Sequence, residues 1–171
     1  MQADFASDEA IARMADAGRK ALGIVDVLVN NAGVLTTPVP PLKTSIDDFD
    51  LTWAVNVRVP WLFTKTLAPH MARDGSVINV TSGLARGPSS DYFPYSLSKW
   101  AVEGLTSVLA AQIPQRVNAV DPGLVATKMP GFAGKPASDV TDVFVFLASD
   151  ASRDVRGKTL KWRDYARRTP S

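Results

Sequence analysis

The sequence predicts an α/β fold, a parallel sheet layered with helices, from three observations. Short β-branched runs alternate with longer stretches of helical periodicity. Clusters of Asn, Ser, Gly and Pro close the runs and mark loops. Each run is followed by a helical stretch able to carry the chain back across the sheet, as parallel pairing requires, with right-handed crossovers.

Residues 7–22, SDEAIARMADAGRKAL, open with Ser7 as a helix cap and with Asp8 and Glu9 in the first turn. Ile11, Met14, Ala15 and Leu22 recur there at helical spacing. IVDVLV (24–29) reads as a buried strand, bounded by Gly23 and by Asn30-Asn31-Ala32-Gly33. A helical pattern follows from Ser45 to about Arg73, in which Pro60 should kink the helix or interrupt its hydrogen bonding near Asn56. SVINV (76–80) is the next strand, and residues 81–93 form a loop. A helix is expected from about Tyr95 to Gln112, stopped by Pro114, and then a strand, RVNAV (116–120). Residues 121–137 are punctuated by proline and glycine and read as a loop. Ser138 is expected to cap a helix over 138–150, and KTLKW (158–162) supplies a last strand. In such sheets ligands lie beyond the carboxyl ends of the strands, so chemistry is expected in the loops after residues 29, 80 and 120.

The chain has 171 residues, one domain's worth, with 46% hydrophobic and 21% charged residues. A net charge of +2 gives no strong field toward nucleic acid. The basic residues Lys161, Arg163, Arg167 and Arg168 gather in KWRDYARRTPS, so 161–171 is expected as a solvated tail after a domain of 1–160. There is no cysteine, which removes disulfides, thiolate zinc sites and cysteine nucleophiles and fits a cytoplasmic protein. His70, the single histidine, has no second histidine or carboxylate at ligand spacing, so no metal site is expected. No apolar run is long enough to span a membrane, and MQADFASDEA lacks the apolar core of a signal peptide.

Tyr95 and Lys99, in YSLSK (95–99), lie one helical turn apart and project from one face. An ammonium about 4 Å from a phenol favours the phenolate by roughly 4 kcal/mol before desolvation. That draws a group with a reference pKa of about 10 toward neutrality, where it serves as a general acid or base. Ser82, at a strand end, is placed to hydrogen-bond the substrate oxygen that exchanges the proton. Taken singly, a tyrosine and lysine four apart are as a rule surface residues, and a serine at a strand end is a turn residue.

Together and in order, LVNNAG (28–33), VNV around Asn56, INVTSG (78–83), YSLSK and RVNAVDPG (116–123) resemble the short-chain dehydrogenase/reductase family over about residues 2–160. The resemblance implies a partial Rossmann-like, doubly wound parallel sheet with helices on both faces, lacking the first βαβ segment. It implies NAD or NADP as cofactor and a small-molecule carbonyl or alcohol as substrate. Tyr95 would exchange the proton. Lys99 would lower its pKa and bind the nicotinamide ribose, Ser82 would hold the substrate oxygen, and Asn56 would anchor a water in a proton relay. Asn30, Ala32 and Gly33 would approach the adenosine half of the cofactor, and Asp4 the adenine. Pro122, Gly123, Val125 and Thr127 would bound the nicotinamide. Family members pair through the two long helices, here 45–73 and 95–112, so a homo-oligomer is implied. No nucleic-acid or membrane partner is.

The sequence departs from the family pattern at its start. Members open with a strand, a Gly-rich turn of the form TGxxxGIG, a helix and a second strand, whereas here QADF (2–5) already matches the end of the third strand. No G-x-G-x-x-G occurs anywhere. That turn brings backbone N–H groups and a helix N-terminus to the pyrophosphate, so cofactor binding is expected to be weak. The absent first strand also leaves 24–29 as an open sheet edge. Two other readings follow. One is a catalytically inert chain that keeps the proton-transfer face and acts at most as an assembly partner. The other is a nucleic-acid-binding module, for which the basic end lacks interleaved aromatic residues.

Overall fold

The computed structural model describes residues 7–87, 89–127, 129, 131 and 133–166. Helix α1 (Asp8–Leu22) begins as expected: the Ala10 N–H donates to Ser7 Oγ at 3.3 Å, and Asp8 and Glu9 occupy the first turn. Its last turn carries Arg19 and Lys20, both paired with Asp16 at 2.7 Å, and Gly23 closes it with an N–H bond to Arg19 O. Strand β1 (Val25–Asn30) follows, shifted one residue from the expected span.

The long helix expected over 45–73 is broken into pieces. Helix α2 (Ile46–Trp53) is capped by Ser45, which accepts from Asp48 N at 3.1 Å. A π turn covers Ala54–Arg58, with the Val59 N–H reaching back five residues to Ala54 O. Helix α3 (Val59–Leu67) carries Pro60 in its first turn. The interruption thus falls around Asn56, where Pro60 offers no N–H to the preceding turn. A second proline, Pro69, turns the chain out through a 3₁₀ segment at Ala68–His70. Strand β2 (Met71–Val80) therefore starts five residues before the expected Ser76. The additional length is absorbed by a register shift between the Val25–Met71 and Val27–Ser76 pairs.

Helix α4 (Phe93–Gln112) starts two residues earlier than expected, because Pro94 fits a first turn where no N–H is needed. Strand β3 (Arg116–Asp121) matches its expected span with one added residue. Ser138 does not cap the next helix. A 3₁₀ turn occupies Ala137–Val140, and α5 (Thr141–Ala148) starts after it with Thr141 Oγ1 donating to Ser138 O at 2.8 Å. Strand β4 (Thr159–Lys161) lies inside the expected segment, and a short helix α6 (Trp162–Ala166) follows. The described part of the basic segment is not solvated throughout. Trp162 and Tyr165 pack on the core, and the Tyr165 ring lies 4.7 Å from that of Phe146.

The four strands are parallel, in the order β1-β2-β3-β4. Adjacent residues of β2 face opposite cores, as a period of two demands. Val77 packs with Ala15, Leu28, Leu67, Ala110 and Val117 beneath α1, α3 and α4, while Ile78 packs with Val120, Val143 and Leu147 beneath α5. Helices on both faces are therefore as expected, but the crossovers are not uniform. The β1–β2 and β2–β3 connections run over the α3 and α4 face. The β3–β4 connection steps the same way across the sheet and runs over the opposite face, through α5. Its hand is opposite to that of the other two, against the general right-handed rule. Buried Arg116 sustains the corner, donating to the carbonyls of Leu147 and Ser149 at the end of α5 and to Ser152 Oγ.

The outer edge of β1 pairs with no strand among the described residues. Ile24 and Val29 beside it are 70% and 44% exposed. Apolar open edges recruit further strands, so the chain is expected to self-associate in size-exclusion chromatography at roughly tens of micromolar, and Val29→Lys to reduce this. A monodisperse wild-type monomer at that concentration contradicts the expectation.

Candidate active site

The loops after β1, β2 and β3 meet above the carboxyl ends of the strands. Ser82 follows β2 and accepts from Leu84 N at 3.3 Å, which starts the short turn Gly83–Ala85. Tyr95 sits in the first turn of α4, and Lys99 one turn on. Thr81 fixes the end of β2 to α4 through a 3.1 Å bond from its hydroxyl to Lys99 O. The Lys99 ammonium donates to Val80 O at 2.9 Å and lies 5.4 Å from the centre of the Tyr95 ring. The structure thus brings Ser82, Tyr95 and Lys99 to one place.

Burial pushes the Tyr95 phenol above its ordinary value, the Ser82 hydroxyl pulls it down, and the charge of Asp121 pushes it up. The Lys99 ammonium donates to Val80 O and stands over the ring. Burial lowers the pKa of Lys99 itself to about 8. Lys99 is only 4% exposed, and with no carboxylate bonded to it among the described residues the Val80 carbonyl offsets only part of the desolvation cost.

Asn56, in the π turn, is buried. Its Oδ1 accepts from Val34 N at 2.8 Å, and its Nδ2 donates to Val34 O and Ser98 Oγ, both at 3.0 Å. The side chain therefore ties the loop after β1 to α4, and a water held here would not rest on a free amide. The loop comes close: a Cβ added at Gly33 would lie 3.4 Å from Asn56 Oδ1 and 3.6 Å from Lys99 Nζ. Gly33 thus packs against Asn56, Lys99 and Met129, and brings the loop after β1 to the Lys99 ammonium.

The Asn30 side chain points inward, donating to Asn79 Oδ1 at 2.8 Å. Asn79 in turn donates to Thr106 Oγ1 at 2.9 Å, so a chain of amides and hydroxyls runs from the loop to α4. Ala32 is exposed. On the other side, Pro122 and Val125 are half-buried, and Gly123 and Thr127 are exposed. Gly123 has φ +66°, and a Cβ there would lie 2.9 Å from Trp162 Nε1, so position 123 requires glycine on both counts. Lys135 stacks over Trp162 at 4.2 Å and donates to Leu124 O at 3.0 Å, bracing this loop. Asp4 lies outside the described residues.

Phe93 and Trp100 line a cleft of about 480 Å³ with Pro41, Ala85, Ser96 and Leu97. Trp53 instead stacks on Phe49 at 5.9 Å, and Trp61 is exposed on α3. Sequence reasoning did not single out Asp121, Asn79, Thr106 or Lys135. Among the described residues no group of three or more His, Cys, Asp and Glu side chains is placed to hold a metal ion, and no helix is long and apolar enough to cross a membrane.

The profile of the family described as short chain dehydrogenase matches residues 1–136. The chain is 32% identical to a short-chain type dehydrogenase/reductase of Picea abies over 94% of its own length and 68% of the relative's. It is 32% identical to a short-chain dehydrogenase/reductase of Arabidopsis thaliana, covering 81% of its own length and 62% of that relative. Among solved structures, it is similar to a blue fluorescent protein from a metagenomic library in complex with NADPH, with a TM-score of 0.84 and 30% identity over 94% of this chain and 72% of that one. The chain thus spans roughly two thirds of the length of the curated relatives it matches.

Proposed function

The chain belongs to the short-chain dehydrogenase/reductase family, and from that premise we propose that it transfers hydride between NAD or NADP and a small carbonyl or alcohol substrate, with Tyr95 exchanging the proton. One observation carries this reading: Ser82, Tyr95 and Lys99 converge at the carboxyl end of β2, with Gly33 of the loop after β1 close to the Lys99 ammonium. A bound nicotinamide supplies the hydride chemistry. Ser82 holds the substrate oxygen next to the phenol. Tyr95, kept protonated by its buried setting, donates as the carbonyl carbon is reduced and the oxygen gains charge. Lys99 holds a positive charge under the site below its pKa of about 8 and offers N–H donors to a ribose hydroxyl. Asn56 holds the loop that carries Gly33 against this pair. Asn30, Ala32 and Gly33 on one side and Pro122, Gly123, Val125 and Thr127 on the other border the cofactor.

Leu51, Trp61, Trp100 and Val108 leave apolar surface exposed along α2, α3 and α4, which supports a homo-oligomer through these helices. The second reading, an inert assembly partner, is favoured by the outer edge of β1, which pairs with no strand among the described residues. Titration of NADH and NADPH into the purified chain, read by fluorescence, separates the two. Saturable binding of either nucleotide supports the cofactor reading. Turnover with any carbonyl substrate at saturating cofactor supports hydride transfer. Neither binding nor turnover at millimolar cofactor leaves the assembly reading.

A further inference from the structure

The carboxylate of Glu103 joins two points of the chain that flank Ser82. Tyr95, Lys99 and Glu103 stand at successive i, i+4 positions of α4 and so share one face of that helix. Glu103 Oε1 lies 3.3 Å from the Thr81 hydroxyl, and its Oε2 accepts from Arg86 Nε at 3.1 Å. The Glu103 side chain is 16% exposed. Thr81 is buried past the end of β2, where its N–H donates to Val120 O at 2.8 Å. Its hydroxyl has one proton and two acceptors on α4, Glu103 Oε1 and Lys99 O. Arg86 closes the turn Gly83–Ala85 from its other end, with its N–H on Gly83 O at 3.1 Å. Ser82 therefore stands between two anchors held by one carboxylate. An exposed ion pair is worth little by itself. This carboxylate is largely enclosed, and it serves a buried hydroxyl as well as the guanidinium.

We propose that Glu103 is a positioning residue of this site: with Thr81 and Arg86 it clamps the Ser82 turn onto α4 and so sets Ser82 against Tyr95. Its effect on turnover rests on the hydride-transfer reading, whereas the clamp does not. A 3₁₀ turn this short has little stability of its own, so the tethers at its two ends decide where Ser82 stands. Glu103 lies one helical turn beyond Lys99 and acts through the turn rather than on the reacting atoms. Losing the clamp frees Ser82 and leaves Tyr95 and Lys99 in place on the helix. The signature is a loss in kcat with cofactor affinity kept.

The test reads amide exchange by NMR in the full chain. The Ala85 N–H donates to Ser82 O at 2.9 Å and the Gly87 N–H to Gly83 O at 3.0 Å, so both report on the turn. The Ile113 N–H, on Leu109 O at 3.0 Å, reports on the far end of α4. In Glu103→Ala the Ala85 and Gly87 amides are expected to exchange about tenfold faster, with Ile113 unmoved. Arg86→Ala is expected to speed Gly87 in the same way. Arg86→Lys keeps a charged donor for Oε2 and is expected to stay near the wild type. With a carbonyl substrate, Glu103→Ala is expected to lower kcat about tenfold and leave the KM for cofactor unchanged. Unmoved Ala85 and Gly87 amides overturn the proposal. So does an equal rise at Ile113, which would mark Glu103 as a general support of the fold, and so does a kcat that holds while the turn exchanges faster. The exchange is read without turnover, so a chain that reduces no carbonyl is told apart from a turn that Glu103 does not hold.

Discussion

Tyr95→Phe is expected to lower carbonyl reduction by about 10³-fold, the usual worth of a positioned general acid, with the fold intact. The substitution removes one hydroxyl that the core does not use. The ring stays in the first turn of α4 beneath the Lys99 ammonium. Circular dichroism should be unchanged while cofactor oxidation with a carbonyl substrate falls to near background. Retained turnover in the variant would remove Tyr95 from the mechanism. The wild-type pH dependence follows from the raised phenol pKa. Reduction needs the phenol protonated, so its rate should hold through the neutral range and decline only as Tyr95 ionises in alkali. Alcohol oxidation needs the phenolate and should climb over the same alkaline range. An oxidation rate that is flat with pH would contradict this.

Lys99→Met is expected to stabilise the fold at neutral pH while reducing activity about 10²-fold or more. The native pKa of about 8 lies below the unfolded value of 10.5. Below pH 8 both states hold the proton, and the native state carries the full cost of an enclosed ammonium. That cost is on the order of 3 kcal/mol, offset by about 1 kcal/mol from the bond to Val80 that the variant loses. A net gain of about 2 kcal/mol is expected in urea unfolding at pH 7. As pH rises from about 8 to 10.5 the native state releases its proton before the unfolded chain does, so wild-type stability rises toward that of the variant. A Lys99→Met protein no more stable than wild type at pH 7 would show that this burial carries little cost.

Much of the site was legible because its chemistry is carried by short segments at strand ends. β-branched runs such as VDVLV and SVINV place Asn30 at the end of a strand and Ser82 in the loop beyond one, and helical spacing puts Lys99 one turn after Tyr95. What escaped sequence reasoning depends on distant partners. Asn30 and Asn79 are 49 residues apart, and Asp121 was read only as a flank of Pro122-Gly123. Spacing fixes a helix face for Lys99 and says nothing of the Val80 carbonyl that engages its amine. Pro60 was legible as a break, but the combined effect of Pro60 and Pro69 on where β2 begins was not. Ser138 has the right residue type for a cap, yet a 3₁₀ turn forms there first. The unusual hand of the β3–β4 connection has no local signature at all.

The strictly serial strand order has a consequence for how the molecule is made. Each strand docks beside the one translated just before it, so the sheet can extend in a single direction as the chain leaves the ribosome. Only the last addition, β4 with its reversed connection, must swing to the other side, and Arg116 and Trp162 are what receive it. Late chain segments are therefore where folding is slowest to commit.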